Sequence, residues 1–271
     1  MIRWAGFDLS APRVMGILNV TPDSFSDGGR RATAETAVAA GRAMLDAGAD
    51  ILDIGGESTR PGAEPVAPDA ERARILPVIQ ALAEVGAVIS VDTRNATTMA
   101  AALATGARIV NDVSALAHDG DAARVVAEHG APVVLMHMRG TPATMQYLAD
   151  YEDVGAEVAA EISHRIVAAE IAGISRAAIA LDPGIGFAKT GPQNIALLRS
   201  LSPLADLGFP LVVGVSRKGF IGTLSNEPVA ARRLGGSIAG ALFALTQGAR
   251  VLRVHDVAET VQAVRVWQAL A

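Results

Sequence analysis

The sequence predicts a (β/α)8 barrel, and three observations carry that prediction. One local pattern recurs seven times: an Ala-rich amphipathic stretch, a glycine, one or more linking residues, then a short β-branched run. The runs are continuously apolar rather than alternating, which suits strands covered on both faces of a parallel sheet. A further run, RVMGILN near the N-terminus, brings the strands to eight in a chain of 271 residues, the length that such barrels use for one domain.

The first strand, RVMGILN, stops at Asn19 and passes into the polar loop TPDSFSDGGR. A helix is expected over 34–47, then the strand of DAGADILDIGG and a second polar loop, GGESTRPGAEPVAP. The next helices are expected over 69–84, 95–105, 119–128 and 152–172. They alternate with the strands of EVGAVISVD, ATGARIVND, EHGAPVVLMH and IAGISRAAIALD. Helices over 192–200, 230–247 and 257–270 interleave with DLGFPLVVGVS and TQGARVLRVH. Gly48, Gly86, Gly106, Gly130, Gly173, Gly208 and Gly248 stand where a helix end needs a left-handed residue. Asp69 and Asn95 fit as N-caps. A doubly wound open sheet ranks below the barrel, because no glycine-rich dinucleotide turn follows any strand. With no linker or low-complexity segment, one domain is expected over 1–271.

Composition narrows the function. About half of the residues are apolar, enough for a large core, and the net charge of −5 comes with scattered cations. Nucleic acid and anionic membranes are therefore not expected partners. No apolar stretch reaches the roughly 18 residues of a membrane span, and MIRWAGFDLSAP lacks the apolar core of a signal peptide. A cytoplasmic location is expected. The absence of cysteine excludes disulfides, a thiol nucleophile and thiolate metal ligands.

In barrels the chemistry lies at the C-terminal ends of the strands. In order, these ends carry Asn19, Asp53 with Glu57, Asp92, Asn111 with Asp112, His137, Asp182, the Ser216-Arg217-Lys218 cluster, and Arg253 with His255. Any one of them reads as a loop anchor, but a mixed ring of charges around one mouth is costly without a ligand. Asp92, Asn111, Asp182 and Lys218 together match a flat heterocycle with amine, ring N–H and carbonyl groups. Arg253 and His255 share a face, and with Asn19 they suit a phosphate or diphosphate and Mg²⁺. The two Gly-, Pro- and Ser-rich loops exceed ordinary connections and read as lids, with Phe25 and Arg60 as their functional side chains. Met136 lies near enough to the mouth to pack on a ligand ring. GIGFAKTG approaches a Walker A loop, but Ala188 stands where glycine is required, so no role is expected of Lys189. His118, His129 and His164 are expected to be solvated or packing residues.

At these residues the chain resembles the dihydropteroate synthase family. The segments that carry the resemblance are MGILNVTPDSFSDGG, DIGGESTRPGA, SVDT, IVNDV, LMHMRGTPATMQ, LDPGIGFAKT, GVSRKGFIG and RLGGSIAGALFALTQGARVLRVHDVAETV. The resemblance implies condensation of 6-hydroxymethyl-7,8-dihydropterin diphosphate with p-aminobenzoate, by an SN1-like loss of diphosphate. It implies a pterin held by Asp92, Asn111, Asp182 and Lys218, with Met136 packed on it. Asn19 would ligate Mg²⁺, and Arg253 and His255 would bind the diphosphate. Phe25, Thr59, Arg60, Pro61, Phe187 and Ser216 would form the p-aminobenzoate pocket and lids, and Asp27 would reach the reacting centre. Many members carry serine after the lysine of the Ser-Arg-Lys motif; here the residue is Gly219, whose N–H is left to attract the p-aminobenzoate carboxylate. The family is usually dimeric, so a homodimer is expected.

Two other readings stand beside this one. A pterin-dependent methyltransferase barrel would share the pterin groups but has no evident need of Arg253, His255 or the first loop. A noncatalytic paralogue would keep the barrel while losing loop residues, and Gly219 is the one feature in its favour.

Overall fold

The computed structural model describes residues 2–21, 29–59, 62 and 64–270, with the backbone alone at 29–33. Two short strands, β1 (Arg3–Trp4) and β2 (Phe7–Asp8), precede β3 (Arg13–Asn19). Then come α1 (Gly29–Asp46), β4 (Ile51–Gly55), α2 (Pro68–Ala83), β5 (Ile89–Asp92) and α3 (Ala96–Thr105). The middle of the chain forms β6 (Ile109–Asp112), α4 (Ala122–Glu128), β7 (Val133–Met136), α5 (Val154–Ile171), β8 (Ile179–Asp182), α6 (Gly191–Arg199) and α7 (Ser202–Ala205). It ends with β9 (Leu211–Val213), α8 (Gly219–Ser225), α9 (Leu234–Thr246), β10 (Ala249–Val254) and α10 (Val257–Leu270). Strands β3 to β10 pair in parallel, and β10 closes on β3, so the eight-stranded barrel expected from the sequence is observed.

All seven glycines read as helix ends take positive φ, from +57° to +122°. Helix starts differ more. Pro68 opens α2, so Asp69 lies in its first turn, against Arg72, and is not the cap. A proline suits that place because the first helical N–H has no partner to lose. Asn95 does precede α3, but its amide turns away to Glu71 Oε2 at 2.9 Å. The Ala96 N–H is met instead by the Asp119 carboxylate at 2.9 Å, from the following strand-to-helix connection. Thr190 and Gln193 form a capping box at the start of α6. Helix α7 was not expected, and α8 was anticipated only as a helix start at Gly219; four and seven residues are too short for a periodic signal.

Side-chain parity divides the barrel into two cores. Leu18, Ile54, Val91, Val110, Leu135, Leu181, Val213 and Leu252 face the helices. Met15, Ile51, Ile109, Val134, Ala180, Val212 and Val251 fill the lumen and pack with Trp4 and Leu9. Strands β1 and β2 form a hairpin whose turn, Ala5-Gly6, has both φ values positive (+50° and +83°), the geometry of a type I′ turn. The hairpin plugs the N-terminal end of the barrel: Trp4 is 2% exposed and its Nε1 donates to the Ala178 carbonyl at 2.9 Å. Trp4→Ala should therefore lower stability by about 3–5 kcal/mol, the usual cost of emptying a buried aromatic site. Urea unfolding measures it, and a loss below about 1 kcal/mol would show that the plug is dispensable.

Candidate active site

The lumen residues fix which strand-end groups face the mouth. Side chains alternate along a strand, so groups an even number of positions beyond the apolar layer share its face. From Met15, Ile51, Ile109, Val134, Ala180 and Val251 this selects Asn19, Asp53, Asn111, Met136, Asp182, Arg253 and His255. On β5, Ile89 and Val91 belong to the outer core, so Ser90 and Asp92 point inward. Asp112 and His137 have the opposite parity. Asp112 anchors its own loop, accepting from Ser114 N at 2.7 Å and Leu116 N at 3.0 Å, and buried His137 reaches outward to Glu161 on α5 at 3.0 Å. Neither joins the ring expected from the sequence. Glu57 also leaves it, because it holds Arg94 through Nε at 3.2 Å and Nη2 at 3.0 Å, and accepts from Val66 N at 3.0 Å. It thereby ties the base of the second loop.

At the centre of the mouth lies Arg253. Its Nε is 2.6 Å from Asp53 Oδ2 and its Nη2 is 2.5 Å from Asp92 Oδ2. Asn111 Nδ2 donates to the same Asp53 oxygen at 3.0 Å. The guanidinium is drawn down between two carboxylates, which hold its pKa above the ordinary arginine value despite burial. Burial pushes Asp92 up to about 7, with Arg253 opposing the shift and Asp53 adding to it. Asp182, also raised by burial and opposed by Lys218, accepts from Gly184 N at 2.7 Å through Oδ1.

Lys218 precedes α8, and burial lowers it to about 8, Asp182 opposing and Arg253 adding to the effect. Its Nζ donates to the Ile185 carbonyl and lies 4.9 Å from the Phe187 ring centroid. The other two members of that motif turn elsewhere. Arg217, at φ +60°, pairs with Asp256. Ser216 is buried and engages His255, its Oγ 3.0 Å from the ring Nδ1 and 3.2 Å from the backbone N. Ser216 thus helps to orient His255. Thr59 is half-buried at the start of the second loop, and Gly219 opens α8. Phe25, Asp27, Arg60 and Pro61 lie outside the described residues.

A cavity of about 550 Å³ opens beside the mouth, lined by Glu57, Arg94, Asn95, His118 and Thr141 among others. None of the lumen-facing groups lines it, so it is a cleft between loops.

This arrangement has counterparts in known proteins. Residues 15–255 match the pterin-binding enzyme family. The chain is 48% identical over 263 residues to the dihydropteroate synthase of Escherichia coli K12, covering 97% of this chain and 93% of that one. The Neisseria meningitidis serogroup B dihydropteroate synthase is 49% identical, with 97% and 94% covered. A structure of Xanthomonas albilineans dihydropteroate synthase with 4-aminobenzoic acid superimposes with a TM-score of 0.92 at 49% identity, covering 97% of this chain and 94% of that one. The chain belongs to the dihydropteroate synthase family.

Dihydropteroate synthases are transferases, and so is this chain. Sequence reasoning gave no role to two groups that the structure ties to candidate site residues. Asp53 stood among the strand ends without a role, yet it binds both Asn111 and Arg253. Counting by two from Ile51 would have found it. Lys189, set aside with the Walker-like segment, is buried and bonded at three points. No spacing in the sequence signals that.

The raised pKa of Asp92 has a definite sign. A carboxyl that binds its proton more tightly in the fold adds stability that is complete below its unfolded pKa, about 4, and lost as pH climbs through about 7. The stability of the protein relative to its Asp92→Asn variant should therefore fall between about pH 4 and about pH 7. Urea unfolding of both proteins across that window measures it, and a difference that grows with pH would contradict the assignment.

Proposed function

We propose that the chain condenses 6-hydroxymethyl-7,8-dihydropterin diphosphate with p-aminobenzoate, forming 7,8-dihydropteroate and releasing diphosphate. The observation that carries this reading is the layering of the mouth. Hydrogen-bonding groups suited to a flat heterocycle lie directly above the apolar floor, and Asn19 and His255 lie one step further out. The Xanthomonas albilineans enzyme, whose structure in complex with 7,8-dihydropteroate superimposes with a TM-score of 0.89 at 46% identity, covering 97% of this chain and 95% of that one, supports the same substrates.

In this reading Asp182 spends Oδ1 on Gly184 and turns Oδ2 to the amine and ring N–H of the pterin. Asn111 spends its amide N–H on Asp53 and offers its carbonyl oxygen. Asp92 completes the pocket, and Met136 packs on the ring. Lys218 places a cation at the ring edge. Breaking the C–O bond leaves positive charge that the electron-rich pterin delocalises, so the reaction is dissociative and the arylamine attacks as a neutral nucleophile. A nucleophilic side chain is not required. The leaving diphosphate takes charge stabilisation from His255, oriented by Ser216, and from the positive field of Arg253. Asp27 would approach the developing cation from the first loop, and Phe25, Thr59, Arg60, Pro61, Phe187 and Gly219 would enclose p-aminobenzoate.

Mg²⁺ belongs to the same proposal. Among the described residues no group of three or more His, Asp or Glu side chains could cage a metal. Asn19 would supply one protein oxygen to this hard cation, and the diphosphate would supply the rest. When bound, it would neutralise the leaving group. A homodimer is supported by the exposed Leu224, Val229 and Phe243 on and beside α8 and α9. Among the described residues no helix is long and apolar enough to cross a membrane.

Release of diphosphate from the pterin substrate, with and without p-aminobenzoate and Mg²⁺, tests the reading; no release under any condition would overturn it. Asp182→Ala should weaken pterin binding by roughly 1–3 kcal/mol, because a buried amine loses its acceptor. Calorimetry measures this, and unchanged affinity would remove Asp182 from the pocket. His255→Ala should weaken the diphosphate substrate more than the product, and equal losses would argue against a leaving-group role. A side chain at Gly219 would meet nothing within 4 Å. Gly219→Ser should therefore be accommodated and should lower KM for p-aminobenzoate, by roughly fivefold if one hydrogen bond of about 1 kcal/mol is gained.

A further inference from the structure

The turn that joins β8 to α6 contains two lysine contacts of opposite kinds. From inside the mouth, Lys218 Nζ donates to the Ile185 carbonyl, and its stem lies against Gly186, where a Cβ would come within 3.0 Å of Cδ. From behind, Lys189 Nζ donates to Gly184 O at 3.2 Å and Phe187 O at 3.0 Å, and lies 3.0 Å from His137 Nδ1. Burial lowers the Lys189 pKa to about 7, with Asp182 opposing the shift; in its ammonium form the three protons meet three convergent acceptors, so its donors are all used.

This geometry fixes the His137 tautomer. Nδ1 must carry the lone pair, so the ring proton resides on Nε2, 3.0 Å from Glu161 Oε2. Burial, with the positive charge of Lys189 adding to it, lowers the His137 pKa to about 4, which keeps the ring neutral. Glu161 is held in turn by Arg139, which also reaches Glu157 at 2.8 Å and stacks 3.8 Å from the Tyr151 ring centroid. The hydrogen bonds therefore run in one direction, from Lys189 through His137 to a carboxylate on the outer helix α5.

The turn needs such a hold. Gly184, Gly186 and Ala188 have φ of +68°, +87° and +47°, three left-handed residues within five. A Cβ on Gly184 would fall 1.9 Å from the His137 carbonyl oxygen, so the turn is pressed against the end of β7. For Ala188 the left-handed conformation is sterically unfavourable, and such conformations persist where surrounding contacts enforce them. Lys189 supplies those contacts at both ends of the segment that seats Lys218.

We propose that Lys189 is a positioning residue for the reaction: by pinning Gly184 and Phe187 it sets the seat of the Lys218 ammonium and the Phe187 ring, and Glu161 supports it through His137. The proposal rests on the dihydropteroate synthase reading only for the reaction that is measured. Lys189 is buried, and its hydrogen bonds go to the turn and to His137.

The test compares the intact protein with Lys189→Met, Lys189→Arg and Glu161→Gln. Each is followed by circular dichroism, by kcat and KM for diphosphate release, and by ¹⁵N shifts of the His137 ring. In the unaltered protein His137 should show a protonated Nε2 and an unprotonated Nδ1. Lys189→Met should remain folded and lose about 10- to 100-fold in kcat, the scale of a misplaced catalytic group. Glu161→Gln, remote from any substrate, should lose less in the same direction. Lys189→Arg keeps the charge but not the convergent geometry, so it should not restore kcat. Recovery in the arginine variant, unchanged kcat and KM in folded Lys189→Met, or an Nδ1–H tautomer in the unaltered protein would each overturn the proposal. If the unaltered protein released no diphosphate, the reaction reading would fail, while the His137 tautomer would still decide whether Lys189 holds the turn.

Discussion

Arg253 sits between Asp53 and Asp92 just above the apolar floor of the lumen, and the other groups of the mouth are placed with respect to that contact. An isolated guanidinium at this depth would be several kcal/mol too costly to keep charged, and each carboxylate would be similarly unstable alone. Together they compensate one another, and the compensation has geometric consequences. Asp53 is oriented tightly enough to receive the Asn111 amide as well, which turns the Asn111 carbonyl oxygen to the open side. Asp92 is held while burial raises its pKa. The polar surface above the floor is therefore largely organised before any ligand arrives, which is the condition under which hydrogen bonds and charges favour a transition state without first having to reorganise.

The barrel also separates stability from chemistry. Toward the N-terminal end the lumen is closed by Met15, Ile51, Ile109, Val134, Ala180, Val212 and Val251, with Trp4 and Leu9 packed beneath. Two positions further along the same strands, the side chains become Asp53, Asn111, Met136, Asp182 and Arg253. The same alternation that buries one layer thus presents the next, and a register slip of one residue would send the charges into the helix layer.

Much of this was legible in the sequence. Seven glycines marked the helix ends, because only a residue without a Cβ takes that conformation cheaply. Strand ends marked the functional rim. What the strand-end reading lacked was parity: it placed Asp112, His137 and Glu57 beside Asp92 and Asn111, although alternate side chains face opposite ways. It also gave no sign that Arg253 pairs with Asp53, since pairing between residues 200 positions apart leaves no local trace. Helix caps failed for a similar reason, as the Ala96 N–H is satisfied by Asp119 from another connection. Lys189 was hidden by its setting in a segment that only approaches a phosphate loop. Its burial depends on β7 and α5, which the local sequence does not describe.

The plugged lumen has one more consequence. With its far end sealed by the hairpin, the barrel has a single doorway, and arrivals and departures share it. A molecule seated against Asp53 and Asn111 is last out as well as first in, because anything that docks nearer the rim stands in its path.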